Sequence, residues 1–252
     1  MTIIESIRNE FKKVMERPKK ERFEYFWDYF KWHAIIAVVL VAVLIYTVIG
    51  LANRKETVFT GYILNCSVTA DDKAFLQDFY AYTGIDTDKQ EAGFYTDLHL
   101  QRGQDQRNAE VFQRIMAGIS INDSDFIVAP PDPFRMCAYN TGRIFADLRN
   151  FLDADALERL SDRLYYIDGA VMQQLSAPVG QAVDPEAIIY PDPRRPENMQ
   201  EPIPVAIDIS DRANLRDAYY YFPDTTLYLG VITNTARPEL TKQLIEFLFS
   251  ET

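Results

Sequence analysis

Ala34 to Ala52 reads AIIAVVLVAVLIYTVIGLA, 19 residues without a charge. At about 1.5 Å per residue such a helix is roughly 28 Å long, close to the hydrocarbon thickness of a bilayer. Twelve of the residues are Ile, Leu or Val, and on an insertion scale they favour the membrane by about 5 kcal/mol. Their β-branched bias does not argue for a strand, because a lone strand cannot satisfy its backbone in lipid. The stretch therefore predicts a transmembrane helix over 34–52, with the lipid bilayer as the first partner of the chain. Two rivals are a buried core helix and a cleaved signal peptide. Gly50-Leu51-Ala52 has the small-x-small form that a signal peptidase accepts, but the 33-residue charged lead argues for a retained anchor.

Charge divides at the helix. Residues 1–55 balance to +4 and residues 56–252 to −15. Lys12, Lys13, Lys19, Lys20 and Lys31 precede the helix, and only Arg54 and Lys55 follow it closely. The positive-inside rule then places the N-terminus in the cytoplasm and the large domain outside the cell membrane. A domain this acidic repels phosphates, which excludes nucleic acid as a partner.

Residues 1–33 form a cytoplasmic juxtamembrane segment. Ile3, Ile4, Ile7, Phe11, Val14 and Met15 recur at helical spacing. That helix either lies on the inner leaflet or is solvated or partner-bound. FEYFWDYFKW over 23–32 sets Trp27, Tyr29 and Trp32 just before the apolar core, where amphipathic rings favour the headgroup region.

Residues 57–252 make one domain, long enough for a sizeable core. Val58–Cys66 reads as a buried strand, and a helix follows from Asp71–Asp72 to a stop at Gly84. A strand over 92–100, a helix over 108–118, a strand over 125–129 and a helix from Pro133 to Gly142 come next. One or two helices are expected over 153–166. Seven prolines between 178 and 204 exclude regular structure there. Strands over 205–209 and 226–233 and a helix over 237–249 close the chain. The alternation predicts an open α/β domain of three layers, with a parallel-rich sheet between helices. Cys66 and Cys137 are too few for a disulfide framework and read as buried thiols.

The order of short motifs resembles the extracellular solute-binding proteins with the type 2 periplasmic-binding fold. Ile115-Met116-Ala117-Gly118 ends a helix, Asp125-Phe126-Ile127-Val128 opens a strand, and Gly142-Arg143-Ile144-Phe145-Ala146-Asp147-Leu148 stands in place of the family's Gly-x-x-x-Asp-Leu phrase, one residue longer. Pro204-Val205-Ala206-Ile207-Asp208 matches the family's return strand, and Leu229 to Glu239 its closing strand and helix. The aromatic lead into the apolar helix also resembles membrane proteins of clostridia-type bacteria. The resemblance implies a solute-binding-like module in uptake or sensing. Between Asp168 and Pro202, however, stand only 33 residues, where the family has a whole second lobe. A single membrane-tethered lobe is expected.

No catalytic signature is present. His33 and His99 have no His or Cys partner at metal spacing, and there is no Gly-x-Ser-x-Gly, Gly-rich phosphate loop or Cys-x-x-Cys. The expectation is a non-enzyme without cofactor or metal. In open α/β sheets a ligand sits beyond the carboxyl ends of the strands. That rule selects Asn65 and Ser67 after the first strand, Asp132 after the third, and Asp208 and Asn234 on the returning strands. Each has an ordinary alternative: Asn65 and Ser67 can satisfy turn backbone, Asp132 can cap a helix and Asp208 can pair with an arginine. The Tyr219–Phe222 cluster suits either stacking on a ligand or packing. Two functions are thus open: a solute-binding-like module, or an interaction protein whose degenerate lobe docks a partner at the cell surface.

Overall fold

The computed structural model describes residues 18–140, 142–176 and 188–250, together with Arg8 and Lys12. The amphipathic pattern over 3–15 otherwise lies outside the described residues. The chain divides into two compact units, Met1–Arg54 and Lys55–Thr252.

The first unit is a 34-residue helix, α1 (Lys19–Ala52), which follows Pro18 and ends at Asn53. Its apolar part, Lys31–Leu51, covers 21 residues, about 31 Å of helix, and is long and apolar enough to cross a membrane. From Ile35 to Leu51 every side chain is exposed. Thr47, a polar residue in the run, donates its hydroxyl to the Val43 carbonyl at 2.7 Å and so keeps its polarity within the helix. Trp27 and Trp32 are exposed on α1; the Tyr29 side chain lies outside the described residues.

The second unit is α/β. Its elements are β1 (Glu56–Ile63), α2 (Asp72–Thr83), β2 (Gln90–Tyr95), α3 (Asp105–Ser120), β3 (Phe126–Ala129), α4 (Pro131–Asn140), α5 (Leu148–Phe151), α6 (Ala154–Arg159), β4 (Leu164–Asp168), α7 (Gly169–Leu175), β5 (Pro202–Asp208), α8 (Ala213–Ala218), β6 (Tyr228–Val231) and α9 (Pro238–Phe249). The six strands form one sheet in the order β2-β1-β3-β6-β5-β4. The first two pairings are parallel and the other three antiparallel. The sheet is therefore mixed, not parallel-rich. β6 runs against both β3 and β5, and β4 runs against β5.

Alternation along the strands sorts side chains into two cores. Phe126 and Val128 join Phe59 and Ile63 on the face covered by α2, α8 and α9. Ile127 and Ala129 join Tyr62 and Leu64 on the face covered by α3, α4 and α7. Val111, Ile115 and Ile119 give α3 its buried stripe at i, i+4 spacing. Gly61 is required where β1 meets β3: a Cβ there would lie 2.1 Å from Cζ of Phe126. Gly84 ends α2 in the left-handed region, at φ 73°. The two cysteines are free and buried, Cys66 in one core and Cys137 in the other, on opposite faces of the sheet.

Three of the differences from expectation bear on the sheet. The segment 153–166 does not remain helical: α6 gives way to a single 3-10 turn and then to β4. Leu157, Leu160 and Leu164 keep a helical beat across that change, whereas the alternation of Leu164 with Tyr165 and Tyr166 with Ile167 belongs to a strand. β2 stops at Tyr95, so 96–100 is not strand. The Asn65 side chain, and not a ladder, holds Leu100. Finally, Pro202 and Pro204 open β5 inside the proline-rich stretch. They pair with β4 only, because β6 reaches β5 from Ala206 onward, so their missing N–H groups interrupt no ladder on that side.

Candidate functional site

The strand directions put the carboxyl ends of β1, β2, β3 and β5 at one end of the sheet. Register fixes this, with Ala129 opposite Tyr228 and Tyr228 opposite Asp208. Asn65, Ser67, Asp132 and Asp208 all lie at that end. Asn234 does not: it follows β6, which runs the other way, and sits near the start of β3.

Asn65 adopts φ 58°, a conformation Asn tolerates better than most residues. Its amide Nδ2 donates to the Leu100 carbonyl and its Oδ1 accepts from the Leu100 N–H, both at 2.9 Å. Asp132 accepts at Oδ1 from Arg135 at 2.8 Å and from Arg102 at 3.2 Å. Asp208 accepts at Oδ1 from the Ser210 N–H and hydroxyl and at Oδ2 from Arg194 at 3.0 Å. Asn234 donates through Nδ2 to the Ile119 carbonyl at 2.7 Å and to Asn122 Oδ1 at 2.6 Å. Ser67 is exposed and pairs through its backbone with Tyr220 in a two-residue antiparallel ladder. The structure thus joins these residues to their own loops and does not converge them on a common ligand.

Beside this end the aromatic cluster divides by alternation. Tyr219 and Tyr221 are buried, and the Tyr221 hydroxyl donates to the Leu64 carbonyl at 3.0 Å. Tyr220 is 50% exposed and Phe222 78% exposed, with their rings edge-to-face at 6.3 Å. Val68, half exposed, stands opposite the buried Tyr219 in the short ladder. Arg216 holds the loop that carries the pair, donating to the carbonyls of Ser210, Thr225 and Phe222.

A hollow of about 360 Å³ lies between α2 and α8, floored by Phe75 and Phe247 and edged by Asp71, Asp78 and Asp217. Another, of about 400 Å³, lies around Arg143, Phe145, Ile167 and Ile203, towards the opposite end of the sheet. Neither takes any of the five candidate residues as lining. Among the described residues no group of three His, Cys, Asp or Glu side chains is placed to hold a metal ion.

Two buried carboxylates were not singled out as sites by sequence, and both are structural. Asp125, fully buried, accepts from the Thr60 N–H at 2.7 Å, the Thr235 hydroxyl at 2.6 Å and Arg237 at 3.2 Å. Burial pushes its pKa up despite these donors. Asp168 accepts from the N–H groups of Ala170, Gln200 and Glu201, each at 3.0 Å, and so closes the neck of the 169–201 excursion. Burial pushes the Asp168 carboxyl up, but the three donors outweigh it and leave the pKa below the usual carboxylate value. The motifs Asp125-Phe126-Ile127-Val128 and Leu229 to Glu239 contain the first group; nothing in the sequence marks Asp168 as a buried carboxylate.

Comparison with protein-family models, with curated proteins and with solved structures finds no match. The class that the fold defines is an α/β domain behind one apolar N-terminal helix.

Proposed function

We propose that the chain is a single-pass bacterial membrane protein whose outward-facing domain, a single lobe of the type 2 periplasmic-binding kind, docks a partner protein and performs no catalysis. One observation carries this reading. Asn65, Asp132 and Asp208 have their polar groups bonded within the lobe, while Tyr220 and Phe222 stand exposed at the same end of the sheet. A solute clamp needs the reverse arrangement, with polar groups aimed into a hollow and a second lobe to close over it. Here the excursion leaves β4 at Asp168 and returns at Pro202, and these two residues are register partners. A neck that narrow supports an interaction role at the cell surface, in which a partner covers the exposed end. The alternative, a solute held near Asn65, Ser67, Asp132, Asp208 and Asn234, has less support, since Asn234 lies at the far end.

A photoreactive benzophenone residue at position 222, in the full chain in its native membrane, tests the reading. It predicts one discrete crosslinked species that is missing when the probe stands at Glu91. A panel of sugars, amino acids and short peptides should leave the melting temperature unchanged. Stabilisation by a small solute, RT ln(1 + [L]/Kd), with no crosslink at 222, would favour the solute-binding alternative.

A further inference from the structure

The exposed pair Tyr220 and Phe222 follows directly on α8, which walls the hollow between α2 and α8. The Thr69 N–H donates to the Ala218 carbonyl at 3.0 Å and the Thr69 hydroxyl to the Asp217 carbonyl at 2.5 Å, so the strand carrying Val68 runs alongside the end of α8. The hollow's floor is apolar: Phe75 and Phe247 meet edge-to-face at 5.5 Å, flanked by Ala74 and Ala213. Its edge is not. Asp71, Asp78 and Asp217 make no ion pair or side-chain hydrogen bond among the described residues, although ion pairs occupy many carboxylates elsewhere in the domain. Asp71 precedes α2 without capping it through its side chain. Segments 67–78 and 213–225 hold five acidic residues against Lys73 and Arg216. The Arg216 guanidinium is committed to three carbonyls.

From this juxtaposition we infer that the surface takes a basic and apolar segment of a partner protein. A Lys or Arg of that segment enters the hollow between α2 and α8, and its apolar neighbours pack on Tyr220 and Phe222. The chemistry of both ends fits. The aliphatic stem of a long cationic side chain covers apolar surface, and its head interacts favourably with an aromatic face. Unpaired carboxylates around that head supply charge-assisted hydrogen bonds. The net charge of −15 over 56–252 adds long-range attraction for a cationic segment and repels acidic ones. The inference rests on the interaction reading and names its partner's chemistry.

The test uses the full chain in phosphatidylcholine nanodiscs and a fluorescein-labelled ten-residue peptide of alternating Leu and Arg, with its Leu/Glu counterpart. Fluorescence anisotropy should show binding of the Arg peptide only, weakening as salt rises. The triple variant D71N/D78N/D217N should lose about tenfold or more in affinity, and Tyr220→Ser with Phe222→Ser a comparable factor. None of the three carboxylates is hydrogen-bonded among the described residues, so the triple variant should melt as the native protein does. E110Q/D155N/E158Q removes the same charge from other surfaces and should bind nearly as the native chain. Equal binding of the two peptides, no binding of the Arg peptide, or equal loss in both triple variants overturns the inference. A Phe222 crosslink that persists undiminished in D71N/D78N/D217N would overturn it while leaving the interaction reading standing.

Discussion

Replacing Asp125 by Ala removes the acceptor that ties three parts of the domain together. Its carboxylate joins the Thr60 N–H of β1, the Thr235 hydroxyl after β6 and the Arg237 guanidinium just before α9. Arg237 also reaches Asp123 at 3.0 Å. The substitution strands a buried N–H, which costs about 1–3 kcal/mol. Breaking one side of a buried, hydrogen-bonded ion pair costs about 3–5 kcal/mol as a whole, and that range already includes the stranded donors. For a domain of this size each kcal/mol lowers the melting temperature by roughly 2–4 °C, so a fall of about 10 °C is expected by circular dichroism. Arg237→Ala should cost about 2–4 kcal/mol, because it leaves a buried carboxylate without its cation. The double variant should lose less than the two singles together, by about 1–3 kcal/mol, since the residues share one network. A loss below about 1 kcal/mol for Asp125→Ala, or strict additivity, would refute the latch. Because the latch lies at the other end of the sheet, a folded Arg237→Ala chain should keep its Phe222 crosslink.

Other consequences follow from burial and register. Cys66 and Cys137 are buried thiols whose pKa values burial pushes up to about 11 and about 12. Ellman's reagent should titrate neither in the folded protein and both in guanidinium. Asp168 has a folded pKa below its unfolded value, so its stabilisation is fully present above about pH 4 and fades as pH falls through the folded pKa. Asp168→Asn should therefore be destabilised at neutral pH, with the gap to the native protein narrowing in acid. A pH-independent gap would refute that assignment. Gly61→Ala should lower stability by about 2 kcal/mol, because the new methyl meets the Phe126 ring; a neutral effect in thermal melts would show that the ring yields freely.

How far the sequence reveals this fold depends on whether a signal is local. α2 was legible because Asp72 opens it, Phe75 and Phe79 share a face and Gly84 stops it. α9 was legible from Pro238 and the Leu244–Leu248 spacing. The apolar run from Ala34 declared its helix by length alone. β4 was hidden, since its leucines continue the rhythm of α6 and only pairing with β5 decides between the two. Strand direction was equally hidden: nothing local distinguishes the antiparallel β6 from a parallel strand, and its reversal removes Asn234 from the site. Asn65 and Asp208 were correctly placed at the strand ends, yet their bonds to Leu100, Ser210 and Arg194 depend on residues up to 35 positions away. The exposure of Tyr220 and Phe222, but not of Tyr219 and Tyr221, follows from an alternation that four consecutive aromatics conceal. The Asp71, Asp78 and Asp217 edge needs α2 and α8 side by side.

The membrane-anchored, outward-facing arrangement is tested most directly by single-cysteine labelling of intact cells with a membrane-impermeant maleimide. The two native thiols are buried and stay silent. Lys89→Cys, at a side chain 82% exposed, should label in intact cells. Lys12→Cys should label only after lysis, and both variants should sediment with membranes at the mass of the full chain. Labelling of Lys12→Cys in intact cells with protection of Lys89→Cys, or a product shortened near Ala52 and released from the membrane, would contradict the account.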